Sequence, residues 1–172
     1  MTGRPIRVGV LGAAGRMGRE VCRAVQDAPD CELVATVDRG GALEGLLDAG
    51  AEVAVDFTHP DVVMDHVRFC VDHGLHAVVG TTGMDADRLA AVRGWLATAP
   101  GVGVVVAPNF SVGAVLMMRF AAQAAPFYES VEIVELHHPD KVDAPSGTAR
   151  RTAELVAAAR DRAGRGAGPG AP

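Results

Sequence analysis

Between His137 and Ala149 the sequence reads HHPDKVDAPSGTA, which sets two adjacent imidazoles, a lysine and two aspartates in front of a run of small residues. Imidazoles are suited to moving a proton at physiological pH, which makes His137 and His138 candidate proton donors, and Lys141 adds a cation beside them. Pro139 and Pro145 disfavour continuous helix, so residues 137–145 are expected on a loop. Ser146, Gly147 and Thr148 then open a helix whose free N–H groups and positive dipole end favour a carboxylate. An anion seat, a cation and proton donors together suit reduction of an anionic substrate that must gain a hydride and a proton. A lone surface histidine is more often structural, and a histidine pair could bind metal. A metal site wants a third ligand at a defined spacing, however, and Lys141 beside the imidazoles points to an anion. No metal is expected.

A second chemical signal lies near the N-terminus. VGVLGAAGRMGREV places Gly12, Gly15 and Gly18 where a strand meets a helix, in a G-x-x-G-x-x-G arrangement. Such a turn lets backbone N–H groups approach a pyrophosphate and aims a helix N-terminus at its charge. A glycine turn can also serve packing alone. Here Asp38 closes the next strand 20 residues after Gly18, where an acid can accept hydrogen bonds from an adenosine ribose. Arg39 could offset its repulsion of a 2′-phosphate, or could be a solvated loop residue, so NADH and NADPH both remain open. DFT at 56–58, with Phe57 at its centre, and GTTG at 80–83, with Gly80, Thr81 and Thr82, end two further strands. That edge is where open α/β sheets bind ligands, and these side chains suit a nicotinamide ribose and carboxamide, although each taken singly could be a simple turn.

The elements that must position these residues follow a regular rhythm. IRVGVLG, CELVATVD, EVAVDFT, HAVVGTT and GVGVVVAPN are short β-branched runs, and between them GREVCRAVQDA, PDVVMDHVRFCVDH and DADRLAAVRGWLAT have helical period. Strands of buried character alternating with helices predict an α/β domain with a doubly wound, Rossmann-like parallel sheet. After Asn109 the rhythm changes. The apolar segment VGAVLMMRFAAQAA precedes YESVEIVELHH, which reads as a strand with Val131, Ile133 and Glu135 alternating against Glu132 and Val134. A helix over residues 148–162, N-capped by Ser146 or Thr148, then runs into the glycine-rich AGRGAGPGAP. The expected organisation is a dinucleotide-binding domain over 1–109, an incomplete α+β substrate domain over 110–162, and a flexible tail over 163–172.

Composition narrows the functional classes. The 172-residue chain is 49% hydrophobic and 22% charged, as expected of a globular domain with part of a second. A net charge of -5 and only 4% aromatic residues argue against a nucleic-acid partner. Cys22, Cys31 and Cys70 are odd in number and far apart, which favours free thiols in a reducing compartment. No apolar run reaches the length of a membrane span and no signal peptide is evident, so no membrane partner and a cytoplasmic location are expected.

In their order and wording, GAAGRMG, VDFTHP, GTTG, APNFSVG and ELHHPDKVDAPSGTA resemble the 4-hydroxy-tetrahydrodipicolinate reductase (dihydrodipicolinate reductase) family along essentially the whole chain. The last motif is highly specific, while the first is shared by many dehydrogenases. The resemblance implies reduction by NADH or NADPH of a small cyclic, unsaturated imine dicarboxylate, with loss of water, in diaminopimelate and lysine biosynthesis. It implies that His137 is the general acid and that Lys141 stabilises developing charge and helps bind substrate. His138, Gly147 and Thr148, with Ser146 at the same helix start, match positions around the substrate carboxylates. Cofactor positions carry over to Gly12, Gly15, Arg16, Met17 and Gly18, to Asp38 and Arg39, to the GTTG turn, and to Ala107, Pro108, Asn109 and Phe110 near the hinge. Family members form homotetramers through a sheet that continues well past AGRGAGPGAP, so a C-terminally truncated substrate domain is expected. The rival readings are another amino-acid dehydrogenase with the same first domain, against which HHPDKVDAPSGTA argues, and a non-catalytic nucleotide-binding fragment.

Overall fold

The computed structural model describes residues 3–107, 109–137 and 145–166. The chain divides into two compact units, Met1–Ala107 and Pro108–Pro172. The division falls just before Asn109, the last residue of the expected first domain.

In the first unit the elements run β1 (Ile6–Leu11), α1 (Arg16–Asp27), β2 (Cys31–Val37), α2 (Glu44–Asp48), β3 (Val53–Asp56), α3 (Val63–Asp72), β4 (His76–Val79), α4 (Ala86–Leu96) and β5 (Val104–Val106). All five expected strands form, in the order β2-β1-β3-β4-β5, and every pairing is parallel. The order reverses between β1 and β3, so the connections from those strands leave in opposite directions and a crevice opens at their carboxyl ends. The short helix α2 is not anticipated from the sequence, since LEGLLD is too brief to show a helical period.

The two faces of the sheet carry different helices. Val8 and Val10 of β1 pack with Val21 and Val25 of α1. Leu11, Ala54 and Ala77 pack with Leu46 of α2 and Cys70 of α3, while Val79 meets Val63, Val67 and Val71 of α3 and Val92 of α4. Strands buried on both faces must be apolar at consecutive positions, which is why VGVL, VAV and HAVV lack clean alternation. Leu46 is completely buried, and its replacement by Ala is expected to destabilise the unit by about 2–5 kcal/mol. Cys22, Cys31 and Cys70 are free thiols. Burial, with the charge of Asp56, pushes the Cys70 thiol up to about 12, so it stays protonated.

The second unit packs α5 (Val112–Ala124), a 3₁₀ turn (Ala125–Phe127) and α6 (Gly147–Arg162). Ser111 caps α5 by accepting the Ala114 N–H. Ser146, one of the two expected caps, starts α6 by accepting the Ala149 N–H. Arg160 is buried, and its guanidinium donates to the carbonyls of Ala125, Tyr128 and Glu129 at 3.2, 2.8 and 3.0 Å and to that of Gly166 at 3.1 Å. These carbonyls follow the end of a helix, where partial negative charge accumulates, so the cation is satisfied without a carboxylate.

The strand expected over residues 131–136 does not form: residues 130–137 have no ladder partner among the described residues. A strand exists by pairing, and none of the sheet's strands lies in this unit. The period of two survives nonetheless, with Val131 and Ile133 at 41% and 40% exposure against 80% and 89% for Val134 and Leu136. Glu135 falls on the less exposed side with Val131 and Ile133. The segment carries strand patterning without a sheet to join.

Candidate functional site

The first cluster of candidate residues is built at the carboxyl edge of the parallel sheet. β1 ends in Gly12, whose φ of 79° is left-handed and where a Cβ would stand 2.6 Å from the Phe57 carbonyl oxygen. A Cβ on Gly18 would overlap the Gly12 oxygen, so glycine is required for α1 to pack on its own turn. Gly15 is the N-cap of α1, and no side chain caps it. Among the described residues the N–H groups of that first turn, at Arg16, Met17 and Gly18, therefore stand at a positive helix end without a side-chain acceptor, as an anion-binding turn requires. Arg16 and Met17 are exposed there.

Asp38 sits immediately beyond β2, as its sequence spacing predicts. Its Oδ1 accepts the Ala14 N–H at 2.8 Å, so the carboxylate is held against the glycine turn. Arg39 beside it is exposed. A glycine turn, an uncapped helix start and an anchored acid at the end of the second strand have the chemistry that a dinucleotide seat requires.

The turns after β3 and β4 are joined by a buried carboxylate. Asp56 is 2% exposed. Its Oδ1 accepts the Thr58 N–H, the Thr58 hydroxyl and the Thr81 hydroxyl at 2.9, 2.7 and 2.6 Å. Its Oδ2 lies 2.7 Å from His66 Nδ1 on α3. Burial alone would raise the Asp56 pKa, but the hydrogen bonds from His66, Thr81 and Thr58 outweigh it and hold the carboxyl below its ordinary value. The Thr81 oxygen also accepts the Thr58 N–H at 2.8 Å. Thr81 therefore points inward and supports its turn, whereas Thr82 and Gly83 are exposed. The Phe57 ring lies so close against Gly80 that a Cβ there would overlap it.

The second cluster belongs to the second unit. Glu135 accepts the Ser146 N–H with both oxygens, at 2.9 and 3.0 Å, and its Oε2 lies 3.1 Å from His137 Nε2. These hydrogen bonds, chiefly those with Ser146, hold the Glu135 carboxyl down at about 2. Of the three residues expected to offer N–H groups to a substrate carboxylate, Ser146 is thus engaged internally, and Gly147 and Thr148 form the remaining helix start. Asn109 Nδ2 donates to Thr148 Oγ1 at 3.0 Å, leaving the Thr148 hydroxyl hydrogen free to donate elsewhere. Asn109 Oδ1 accepts the Ser111 N–H at 2.7 Å. Ala107 closes the first unit and is partly buried, and Phe110 is half exposed. Pro108, His138 and Lys141 lie outside the described residues. Among the described residues no cluster of three or more His, Cys, Asp or Glu could hold a metal ion, and no helix is long and apolar enough to cross a membrane.

Sequence reasoning misses Glu135, His66 and Arg160 as determinants of geometry. For Glu135 a signal exists: residues two apart in an extended segment share a side, so E-L-H places a carboxylate beside an imidazole. His66, ten residues from Asp56 and inside a helical repeat, carries no such signature.

A parallel, doubly wound sheet with this glycine turn and anchored acid defines a Rossmann-like fold of the dinucleotide-binding type. The family patterns described as "Dihydrodipicolinate reductase, N-terminus" and "Dihydrodipicolinate reductase, C-terminus" match residues 6–110 and 113–169. The 4-hydroxy-tetrahydrodipicolinate reductase of Nocardia farcinica is 66% identical over 166 residues, covering 96% of this chain and 67% of its own length. That of Streptomyces avermitilis is 63% identical, covering 92% of this chain and 64% of its own length. Among solved structures, a dipicolinate-bound dihydrodipicolinate reductase from Paenisporosarcina sp. TG-14 superposes with a TM-score of 0.75 at 35% identity, over 91% of this chain and 67% of that one. The chain belongs to the dihydrodipicolinate reductase family, and it spans about two thirds of the length of the curated relatives it matches.

Proposed function

We propose that the protein is an NAD(P)H-dependent oxidoreductase that reduces 4-hydroxy-tetrahydrodipicolinate to tetrahydrodipicolinate in diaminopimelate and lysine biosynthesis. The observation that carries this reading is the 66% identity to the Nocardia reductase, which runs through both units and both clusters of candidate residues. In the overall reaction one hydride and one proton enter the substrate, and one water leaves.

When bound, the reduced nicotinamide cofactor supplies the hydride. Gly12, Gly15, Arg16, Met17 and Gly18 would hold its pyrophosphate, and Asp38 and Arg39 its adenosine ribose. Phe57, the Gly80-Thr81-Thr82 turn and the Ala107-Pro108-Asn109-Phe110 segment would receive the nicotinamide half. Gly147, Thr148 and His138 bind a substrate carboxylate near the start of α6, with Ser146 fixing that start. His137 gives the proton, oriented by Glu135, and Lys141 stabilises negative charge developing on the substrate. The free thiols accord with a cytoplasmic location, and a homotetramer is the assembly expected of the full-length family member.

The test is steady-state oxidation of NADH or NADPH by the purified protein with freshly generated substrate. Consumption that requires the substrate and is lost in Lys141→Ala supports the reading. Binding of cofactor with no substrate-dependent consumption at any concentration would sink it for this chain.

A further inference from the structure

We infer that His66 is a positioning residue for the nicotinamide half of the cofactor seat, acting through Asp56 on the turns that follow β3 and β4. The inference rests on the cofactor reading above and deepens it.

A buried ionised carboxylate is costly unless it is fully hydrogen-bonded. Asp56 meets that condition only by drawing donors from three elements: Thr58 in the turn after β3, Thr81 in the turn after β4, and His66 on α3. Each donor is committed in direction. The Thr58 and Thr81 hydroxyl hydrogens both point to Asp56 Oδ1, and the Thr81 oxygen receives the Thr58 N–H, so neither turn can rotate without breaking a bond to the other.

His66 is the donor to Asp56 that lies in neither turn. With Asp56 ionised, the 2.7 Å contact places a hydrogen on Nδ1 that donates to Oδ2. This fixes the carboxylate plane and hence the direction in which Oδ1 faces the two threonines. Arg88 adds a second tie between the same turns, its Nη1 donating to the Pro60 carbonyl at 2.8 Å and the Gly83 carbonyl at 3.3 Å. The Asp38 anchor on the glycine turn, by contrast, shares no hydrogen bond with this network among the described residues. His66 should therefore affect the nicotinamide end and leave the adenosine end alone, a split that a merely structural residue would not produce.

The experiment titrates the full chain calorimetrically with NADH and, separately, with ADP-ribose, which lacks the nicotinamide. It compares the parent protein with His66→Leu and with His66→Gln, whose amide can still donate to Asp56. The expected result for His66→Leu is NADH binding weakened about tenfold or more, ADP-ribose binding changed less than about twofold, and partial recovery in His66→Gln. Equal losses for both ligands would overturn the positioning role and leave His66 as a stability residue, and so would no loss for either. If His66→Leu fails to fold, His66→Gln and Thr81→Val carry the same comparison. A parent chain that bound neither ligand would overturn the cofactor reading itself, and this role with it.

Discussion

Glu135 lies between His137 and Ser146, 3.1 Å from the imidazole Nε2 and 2.9 Å from the backbone nitrogen that begins α6. One carboxylate therefore sets the orientation of the proposed proton donor relative to the helix start proposed to receive the substrate carboxylate. Replacing Glu135 by Gln keeps the size but weakens both contacts, because an amide offers one acceptor and no charge. Turnover is expected to fall about tenfold or more while NADH affinity stays within about twofold. A steady-state comparison with a parallel calorimetric titration of Glu135→Gln checks it, and unchanged turnover would remove Glu135 from the site.

The same carboxylate has a pH signature. Its pKa is held at about 2 in the folded chain, below an ordinary value of 4.5. A depressed acid contributes stability that is complete above its unfolded value and is lost as pH falls toward the folded one. The Glu135–Ser146 tie should accordingly persist at about pH 4 and weaken toward about pH 2. Carboxyl-carbon NMR should give Glu135 a midpoint well below the ordinary glutamate value, and a midpoint above about 4 would contradict the geometry.

Asp56 should act likewise on the first unit, since its pKa too is lowered, from 3.8. The stability it contributes is present above about pH 4 and declines as pH falls further. Asp56→Asn is expected to lower the melting temperature near neutral pH and to flatten its fall between about pH 4 and pH 2. Thermal melts of both proteins across that range decide the matter, and parallel curves would mean that Asp56 does not couple folding to protonation.

Asp38 and Arg39 bear on cofactor choice. Because Asp38 is anchored by the Ala14 N–H, its charge cannot swing away from a ribose, and Arg39 is exposed and able to approach a 2′-phosphate. NADH is expected to bind at least as well as NADPH, and Asp38→Ala should shift the ratio toward NADPH. Calorimetric titration of both cofactors checks this. NADH binding more than tenfold weaker than NADPH, or about 1.4 kcal/mol, would show that the acid does not govern the site.

The legibility of this chain follows from how local each constraint is. The five strands, α1, α3 and α4 are readable because buried β-branched runs and helical periods are written within about ten residues each. Gly12 is readable because a close backbone approach permits few residue types. The Asp56–His66 contact is not, since it depends on α3 folding back over the carboxyl end of β3, and nothing in DHVRFC distinguishes a carboxylate partner from a solvated histidine. The strand expected over 131–136 fails for a related reason: alternation specifies a face, but a strand also needs a neighbour, and pairing is a non-local property.

That missing neighbour motivates the last expectation. Val112 and Phe120 of α5 are 74% and 59% exposed, and Val134 and Leu136 of the unpaired segment 80% and 89%. Apolar surface concentrated in one small unit, beside backbone that pairs with no strand among the described residues, favours association between copies. The purified 172-residue chain is expected to bind NADH, because all five strands of the first unit pair with one another in a single sheet, and to self-associate as its concentration rises. Catalysis should be weak, because His137 sits on a segment without ladder bonds to hold it within the tolerance that proton transfer needs. Sedimentation velocity over a concentration series, run beside the reductase assay, tests both parts. Phe120→Gln with Leu136→Gln should shift the chain toward monomer without altering NADH affinity. A monomeric parent chain with kcat/KM equal to that of the longer Nocardia reductase would show instead that the second unit is self-sufficient as it stands.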